Sequence, residues 1–195
     1  MWLTHLPEIA TLVISTTIRL QMTRIIGIDP GSRRTGYGII DITGSNISYV
    51  SSGIIRLPEG GLPSRLKLIF DGISQLLDQY QPETMAVEDV FFARDPKAAL
   101  KLGQARGAAI VAGVNAQLPL SEYSARSVKQ AVVGTGAADK KQVQMMVTSL
   151  LKLAEAPAED AADALAVAIC HGHSMRTEKL LANHGLNNYA RGRHR

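Results

Sequence analysis

The sequence predicts an α/β fold in which helices cover both faces of a mixed β-sheet. Three segments rich in isoleucine, valine and tyrosine follow one another near the start with short links, as in an antiparallel meander. Further along, strand-like segments alternate with segments whose apolar residues recur at helical spacing. The chain has 195 residues, 46% of them hydrophobic, which is long enough for one core and short for two domains.

The elements are predicted in the order β-β-β-α-β-α-β-α-α-α. Turn residues separate them: Thr-Gly-Ser-Asn at 43–46 links two strands, and Pro82 ends the first helix. A Gly-Thr-Gly run at 134–136 and an Ala-Pro pair at 156–157 divide the last three helices. The predicted strands are 24–29, 36–43, 47–57, 84–90 and 118–123, and the predicted helices are 62–79, 97–117, 127–133, 139–153 and 158–173.

Both ends of the chain differ from its body. Residues 1–22 have an apolar stretch without a basic start, which is a poor secretory signal, and the sequence from Met22 onward is a self-sufficient start. We expect 1–22 to be a dispensable extension, 23–175 to be the folded domain and 176–195 to be a basic tail. The single cysteine and the lack of a run of roughly 20 apolar residues predict a cytoplasmic protein without a membrane span.

The net charge of +4 hides an uneven distribution. Residues 176–195 alone carry a charge of +4, so the rest of the chain is balanced. Within that balanced part, 94–152 contains nine basic and three acidic residues, whereas 155–163 contains four acids and no base. A basic stretch beside an acidic cluster is a pattern that the function has to explain.

Two acids stand on predicted strands. Asp29 ends a buried type of strand, where a side chain faces the crevice in which α/β proteins bind ligands, although an Asp-Pro-Gly turn explains it equally well. Glu88 has core-like neighbours, so it must be metal-bound, protonated or paired, for example with a helix arginine. Asp89 points to the opposite face of the strand.

Two further acids stand on one helix face. Asp160 and Asp163 are three residues apart, and Asp163 precedes a helix that is apolar nearly all round. Asp160 also suits the first turn of a helix on dipole grounds alone. Together with the strand acids they offer oxygen ligands without histidine or cysteine, which fits Mg²⁺ or Mn²⁺. We expect His171 and His173 to be exposed histidines at the end of this helix.

An ordered set of segments resembles a known family, the crossover junction endodeoxyribonucleases of the RuvC type, which are Holliday-junction resolvases. The set extends over about 22–195. Its members are IIGIDPGSRRTGYGII at 25–40, LPSRLKLI at 62–69, AVEDVFFARD at 86–95, ALKLGQARG at 99–107, VKQAVVGTG at 128–136, DKKQVQMMV at 139–147 and DAADALAVAICHGH at 160–173.

The resemblance implies an RNase H-like mixed β-sheet flanked by helices, which would make 23–175 a nuclease domain. It also implies a two-metal mechanism with Mg²⁺, for which Mn²⁺ would substitute, and paired symmetric nicking of four-way DNA junctions in recombination and repair. The implied partners are a second copy of the chain and the RuvA–RuvB branch-migration complex. The family's acidic tetrad falls on Asp29, Glu88, Asp160 and Asp163.

The resemblance also gives the basic stretch a role, since lysine and arginine neutralise phosphates. The family's junction-contacting aromatic falls on Phe91 and its DNA-contacting lysines fall on Lys129 and Lys140, and we expect Lys140 to act in cleavage as well. Arg94 and Lys97 follow Glu88 closely and are further candidates for DNA binding. Asp89 is an acid where the family carries a neutral residue, so it either tunes metal affinity or is only solvated.

Three alternatives compete with this interpretation. An Asp-x-Gly-Ser turn after a strand also opens actin-like sugar kinases and ATPases, but those have two related domains and a second glycine-rich motif that this chain does not show. A catalytically inactive RNase H-like binding module would not need all four acids. A ribosomal-RNA-processing nuclease of the same fold would not need the segment at 91–107 or the two late lysines.

Overall fold

The computed structural model describes residues 22–89 and 95–183. Its sheet has five strands in the order β3-β2-β1-β4-β5. The first three strands form an antiparallel meander, and the last two run parallel to β1, which confirms the predicted mixed sheet. The strands are β1 Met22–Asp29, β2 Arg34–Thr43, β3 Asn46–Arg56, β4 Thr84–Asp89 and β5 Leu120–Ser124.

Helices cover both faces of this sheet, as predicted. The first two pack on one face around Ile26, Ile28 and Val87, and the last three pack on the other around Ile25 and Ala86. We call the second face the α5 face. The helices are α1 Leu62–Tyr80, α2 Pro96–Asn115, α3 Ala125–Val133, α4 Lys140–Leu150 and α5 Glu159–Asn183.

Side-chain caps begin three of the helices. Asp95 accepts from the backbone N–H of Lys97 at the start of α2, and Ser124 does the same for α3. At the start of α4, Asp139 and Gln142 cap each other reciprocally as a capping box. These caps explain why the helices begin immediately after short loops.

Helix α5 lies against the centre of the sheet and is buried nearly all round from Ala164 to Cys170. Two strand glycines allow this close approach. A Cβ atom added to Gly27 would lie 2.3 Å from the carbonyl oxygen of Ala164, and one added to Gly38 would lie 2.6 Å from the backbone nitrogen of Leu165. The helix backbone therefore touches the strands directly.

His171 is buried, and the expectation that it lies exposed at a helix end is wrong. Helix α5 continues ten residues beyond His173, so His171 faces the sheet rather than solvent. Its Nε2 is 3.0 Å from the hydroxyl of Thr84, and its Nδ1 is 2.8 Å from the hydroxyl of Tyr123. Burial lowers the pKa of His171 to about 4, so the ring is neutral at physiological pH.

In the described ranges 22–89 and 95–183, no helix is long and apolar enough to cross a membrane. The boundaries of the predicted extension and tail stay predictions.

The contact between α5 and the sheet predicts a steric effect of Gly27→Ala. The added methyl group meets backbone atoms that have no room to move, so we expect a loss of about 1–3 kcal/mol or more in the free energy of unfolding. Urea unfolding measures it. Gly60→Ala, where a Cβ atom meets nothing within 4 Å, is the control and should change stability little. Equal stability of the two variants would contradict this packing.

Candidate active site

Asp29 and Glu88 lie side by side at the carboxyl ends of two parallel strands. The register pairs Ile28 of β1 with Val87 of β4, so the two acids that follow are neighbours on the α5 face. Each of the two carboxyl groups affects the pKa of the other. Burial, and then the charge of Glu88, raise the pKa of Asp29 to about 8, and burial raises the pKa of Glu88. The pair therefore shares a proton.

Asp163 completes a cavity of about 220 Å³ with these two acids. It comes from the second turn of α5, and Lys129 of α3 and Lys140 of α4 line the same cavity. Burial raises the pKa of Asp163, while the charge of Lys140 opposes that shift. The structure thus brings three of the four predicted acids and both predicted lysines together.

Asp160 lies beside this cavity rather than in its lining. Its carboxylate is 3.3 Å from Nε of Arg34 at the start of β2. The absence of a side chain at Gly36 makes this position possible, since a Cβ atom there would lie 1.9 Å from the carbonyl oxygen of Asp160. The charge of Asp160 still reaches the cavity, because it contributes to the raised pKa of both Asp29 and Asp163.

Lys140 contacts two carboxylates of α5. Its ammonium donates to Glu159, and this hydrogen bond raises the pKa of Lys140. The same ammonium is 3.5 Å from Oδ2 of Asp163. Lys140 therefore stands at the mouth of the cavity as a cation, with most of its side chain exposed.

The other predicted DNA contacts are distributed around the site. Lys97 is exposed in the first turn of α2. Phe91 and Arg94 lie outside the described residues. Asp89 points away from the cavity, as predicted, but it is ion-paired with Arg106 of α2 at 3.3 Å.

Three sets of contacts around the site were not predicted from the sequence. Arg34 reaches Asp160, Glu159 holds Lys140, and Arg106 bonds both Asp89 and Glu122. The sequence could have indicated Arg34, because it follows Asp29 by five residues in the same glycine-rich segment. The acid at 159 was explained by helix polarity alone, and the pairing of Arg106 depends on a strand register that spacing does not reveal.

The donor set fits a hard divalent cation. All candidate ligands are carboxylates. The raised pKa of Asp29 indicates that these carboxylates repel one another and that a cation bound between them would be stabilised. In the side-chain arrangement of the described residues, no three such groups form a ready metal cluster. Two of the four acids are instead paired with cations, Asp163 with Lys140 and Asp160 with Arg34.

This sheet order, with acids on β1, β4 and α5, defines the RNase H-like class of folds. A family model, crossover junction endodeoxyribonuclease RuvC, matches residues 25–171. RuvC of Teredinibacter turnerae is 60% identical over 177 residues, which cover 88% of this chain and 99% of the relative. RuvC of Photobacterium profundum is 59% identical over 175 residues, with 89% and 100% covered. The chain belongs to the RuvC family of crossover junction endodeoxyribonucleases.

Solved structures agree with this placement. T. thermophilus RuvC in complex with a Holliday junction substrate superposes with a TM-score of 0.75 at 35% identity, covering 80% of this chain and 96% of that one. The yeast mitochondrial Holliday junction resolvase Ydc2 has a TM-score of 0.58 at 16% identity, which shows a shared fold.

The raised pKa of Asp29 predicts a pH-dependent stability. Because its pKa rises from 3.8 to about 8 on folding, the proton favours the native state. This stabilisation is complete below about pH 4 and is lost as the pH rises towards about 8. In chelator, we expect Asp29→Asn to be several degrees more stable than the wild type to heat at pH 8, with a gap that narrows by pH 5.

Asp71→Asn is the control for this experiment. Asp71 is an exposed acid paired with Lys67 on the opposite face of the sheet, so its removal should have a similar small effect at both pH values. A gap between Asp29→Asn and the wild type that is the same at pH 5 and pH 8 would contradict the shared proton.

Proposed function

We propose that this chain resolves four-way (Holliday) DNA junctions by paired symmetric nicking in recombination and repair. The observation that supports this most is the cavity of Asp29, Glu88 and Asp163 between two lysines, in a chain that belongs to the RuvC family. A relative with 35% identity has been solved with a Holliday junction substrate. Family membership favours this function over the kinase alternative.

Metal binding would use the four acids. Asp29, Glu88 and Asp163 would hold Mg²⁺ at the cavity, with Asp160 beside it, and Mn²⁺ would substitute. Two such ions, when bound, activate a water molecule and stabilise the leaving oxygen of a phosphodiester. Loading requires Asp29 to lose the proton that it shares with Glu88, so metal affinity should rise with pH.

The lysines would hold the phosphate. Lys129 and Lys140 line the cavity, and their charges also oppose the raised pKa of Glu88. A phosphate at the mouth of the cavity would replace Glu159 or Asp163 as the partner of Lys140. This exchange would place a fixed cation next to the scissile bond, where negative charge develops during hydrolysis.

Symmetric nicking would need a second active site, and one face of α2 offers a surface for a homodimer. Leu100, Val111 and Val114 are exposed on this face, at 66%, 56% and 61%, and they lie at helical spacing. Gly103 and Gly107 lie between them, with nothing within 4 Å of an added Cβ atom. The opposite face of α2 packs on the sheet through alanines. We call the exposed set the α2 stripe.

The remaining partners follow from the same function. In a cell, this chain would resolve junctions in the cytoplasm together with the RuvA–RuvB branch-migration complex. Residues 23–175 would form the nuclease domain, 1–22 a dispensable extension and 176–195 a basic tail that adds non-specific attraction to DNA.

Cleavage of a labelled four-way junction tests the function. We expect the wild type to bind the junction in chelator and to cut it only when Mg²⁺ is added. Asp29→Asn should bind and not cut, because it cannot supply a second negative charge beside Glu88. Equal cutting of plain duplex, or cutting by Asp29→Asn, would refute the proposal.

Lys140→Ala tests the role of that lysine in cleavage. We expect single-turnover cleavage to slow on the order of 10²-fold, because a charge aimed at the reacting phosphate is lost. The thermal midpoint should change little, because the ammonium of Lys140 and its hydrogen-bond partner Glu159 are both exposed. Lys67→Ala, which removes an exposed cation on the opposite face, is the matched control. An unchanged cleavage rate would remove Lys140 from the site.

The double variant Val111→Glu, Val114→Glu tests the dimer. We expect the wild type to sediment as a dimer and the variant as a monomer, because two acids per chain would face each other across the α2 stripe. Met145→Glu, at a position that is 71% exposed on α4, is the control and should stay dimeric. Dissociation by the control, or a dimer that persists in the double variant, would show that the chains meet elsewhere.

A further inference from the structure

Charged side chains form a row across the α5 face at the end of the sheet that holds the site. Asp29 pairs with Gly36 in the β1–β2 register, and two positions further along β2 and β3 Arg34 lies directly opposite Arg56. Side chains two residues apart on a strand share a face, so both arginines lie on the face of Asp29. The row is Arg56 on β3, Arg34 on β2, Asp29 on β1 and Glu88 on β4, followed by Lys129 and Lys140.

This row has basic groups at both ends and acids in the middle. The two lysines line the cavity, whereas nothing in the catalytic proposal uses the two arginines. Strands lie about 4.8 Å apart, so Arg56 is about 10 Å from the strand of Asp29. Over that length a DNA strand that rises about 3.4 Å per nucleotide passes about three nucleotides.

Among the described residues, the two arginines share a single paired carboxylate, so the pair keeps a net positive charge. Like charges directly opposite each other on paired strands destabilise a sheet. Arg34 is 60% exposed, and its partner is Asp160, a carboxylate that would be needed at the metal site. Within the described part of the chain, the guanidinium of Arg56 has no hydrogen bond or ion pair. This arrangement costs stability and leaves two guanidinium groups facing solvent.

The surroundings of Arg56 leave room for a polymer. A groove of about 500 Å³ begins at this residue and extends along β3 past Ser52 to Tyr49. Its other wall is the loop before α5, from Leu153 to Ala158. Arg56 therefore stands in an open groove beside the site, in which Glu155 of that loop is the one acidic lining residue that the structure describes.

We propose that Arg34 and Arg56 form a second phosphate-binding flank of the active site. They hold the backbone of the strand being cut on the β2–β3 side of the scissile phosphate, opposite Lys129 and Lys140. This inference rests on the proposed function and extends it, since it gives the path of the strand: from the lysines, over the carboxylates, to the two arginines. The ligand is the phosphodiester backbone, so the contact is independent of base sequence.

The test compares the double variant Arg34→Gln, Arg56→Gln with the wild type, with the charge-preserving Arg34→Lys, Arg56→Lys and with Lys67→Gln. Lys67 is an exposed cation on the opposite face of the sheet and serves as the matched control. Junction binding is measured in chelator over a range of salt concentrations. We expect the glutamine variant to lower the slope of log affinity against log salt by about 1 to 2, because about one counterion is released per phosphate contact.

Two further readouts separate this role from a structural one. The thermal midpoint of the glutamine variant should stay equal or rise, because two opposed like charges have been removed. Junctions with a neutral methylphosphonate at single positions beside the scissile phosphate map the contacts. A methylphosphonate at a phosphate held by the two arginines should weaken wild-type binding several-fold and have no further effect on the glutamine variant. A methylphosphonate at a phosphate held by Lys129 and Lys140 should weaken the binding of both proteins.

The outcomes distinguish this inference from the proposed function. A wild type that neither binds nor cuts junctions refutes the proposed function and the inference together. If the wild type cuts junctions but the glutamine variant matches Lys67→Gln in salt slope and in methylphosphonate pattern, only the second flank is refuted. A slope restored by the lysine variant supports it, since lysine keeps the charge.

Discussion

Direct backbone contact between α5 and the glycines of β1 and β2 is the constraint on which the site depends. Gly27, Gly36 and Gly38 have no side chains to hold the helix away. The helix thus lies close enough for Asp163 to enter the cavity formed by two strand acids. A strand with larger side chains would move α5 outward and separate the helix acid from the strand acids.

The close approach of α5 to the strands brings carboxylates together that repel one another. Burial raises the pKa of Asp29, Glu88 and Asp163 together, and a shared proton and the charges of Lys129 and Lys140 counteract the repulsion between these carboxylates. Two of the cations at the site are paired with carboxylates: Arg34 pairs with Asp160, and Lys140 pairs with Asp163. A bound divalent ion would replace both the proton and these pairs, and would release two cations towards phosphate.

Much of this was predictable from sequence. Periodicity and turn residues predicted the element order and the mixed sheet, and burial arguments at Glu88 and Asp163 selected acids that the structure brings together. Long-range pairing was not predictable. His171 was expected to be exposed because the predicted helix ended at residue 173, whereas α5 continues to Asn183. The contact of Arg34 with Asp160 was not predicted because it depends on how α5 packs on β2.

His171 has a consequence for the catalytic carboxylates at the other end of the same helix. Its two ring nitrogens contact hydroxyl groups of β4 and β5, so α5 has one permitted position along its own axis. Asp163 lies eight residues earlier, which is about 12 Å of helix. A slide of α5 by a single residue would break both contacts at once. The buried histidine therefore fixes the position of α5 along its axis, and with it the point at which Asp163 reaches the sheet.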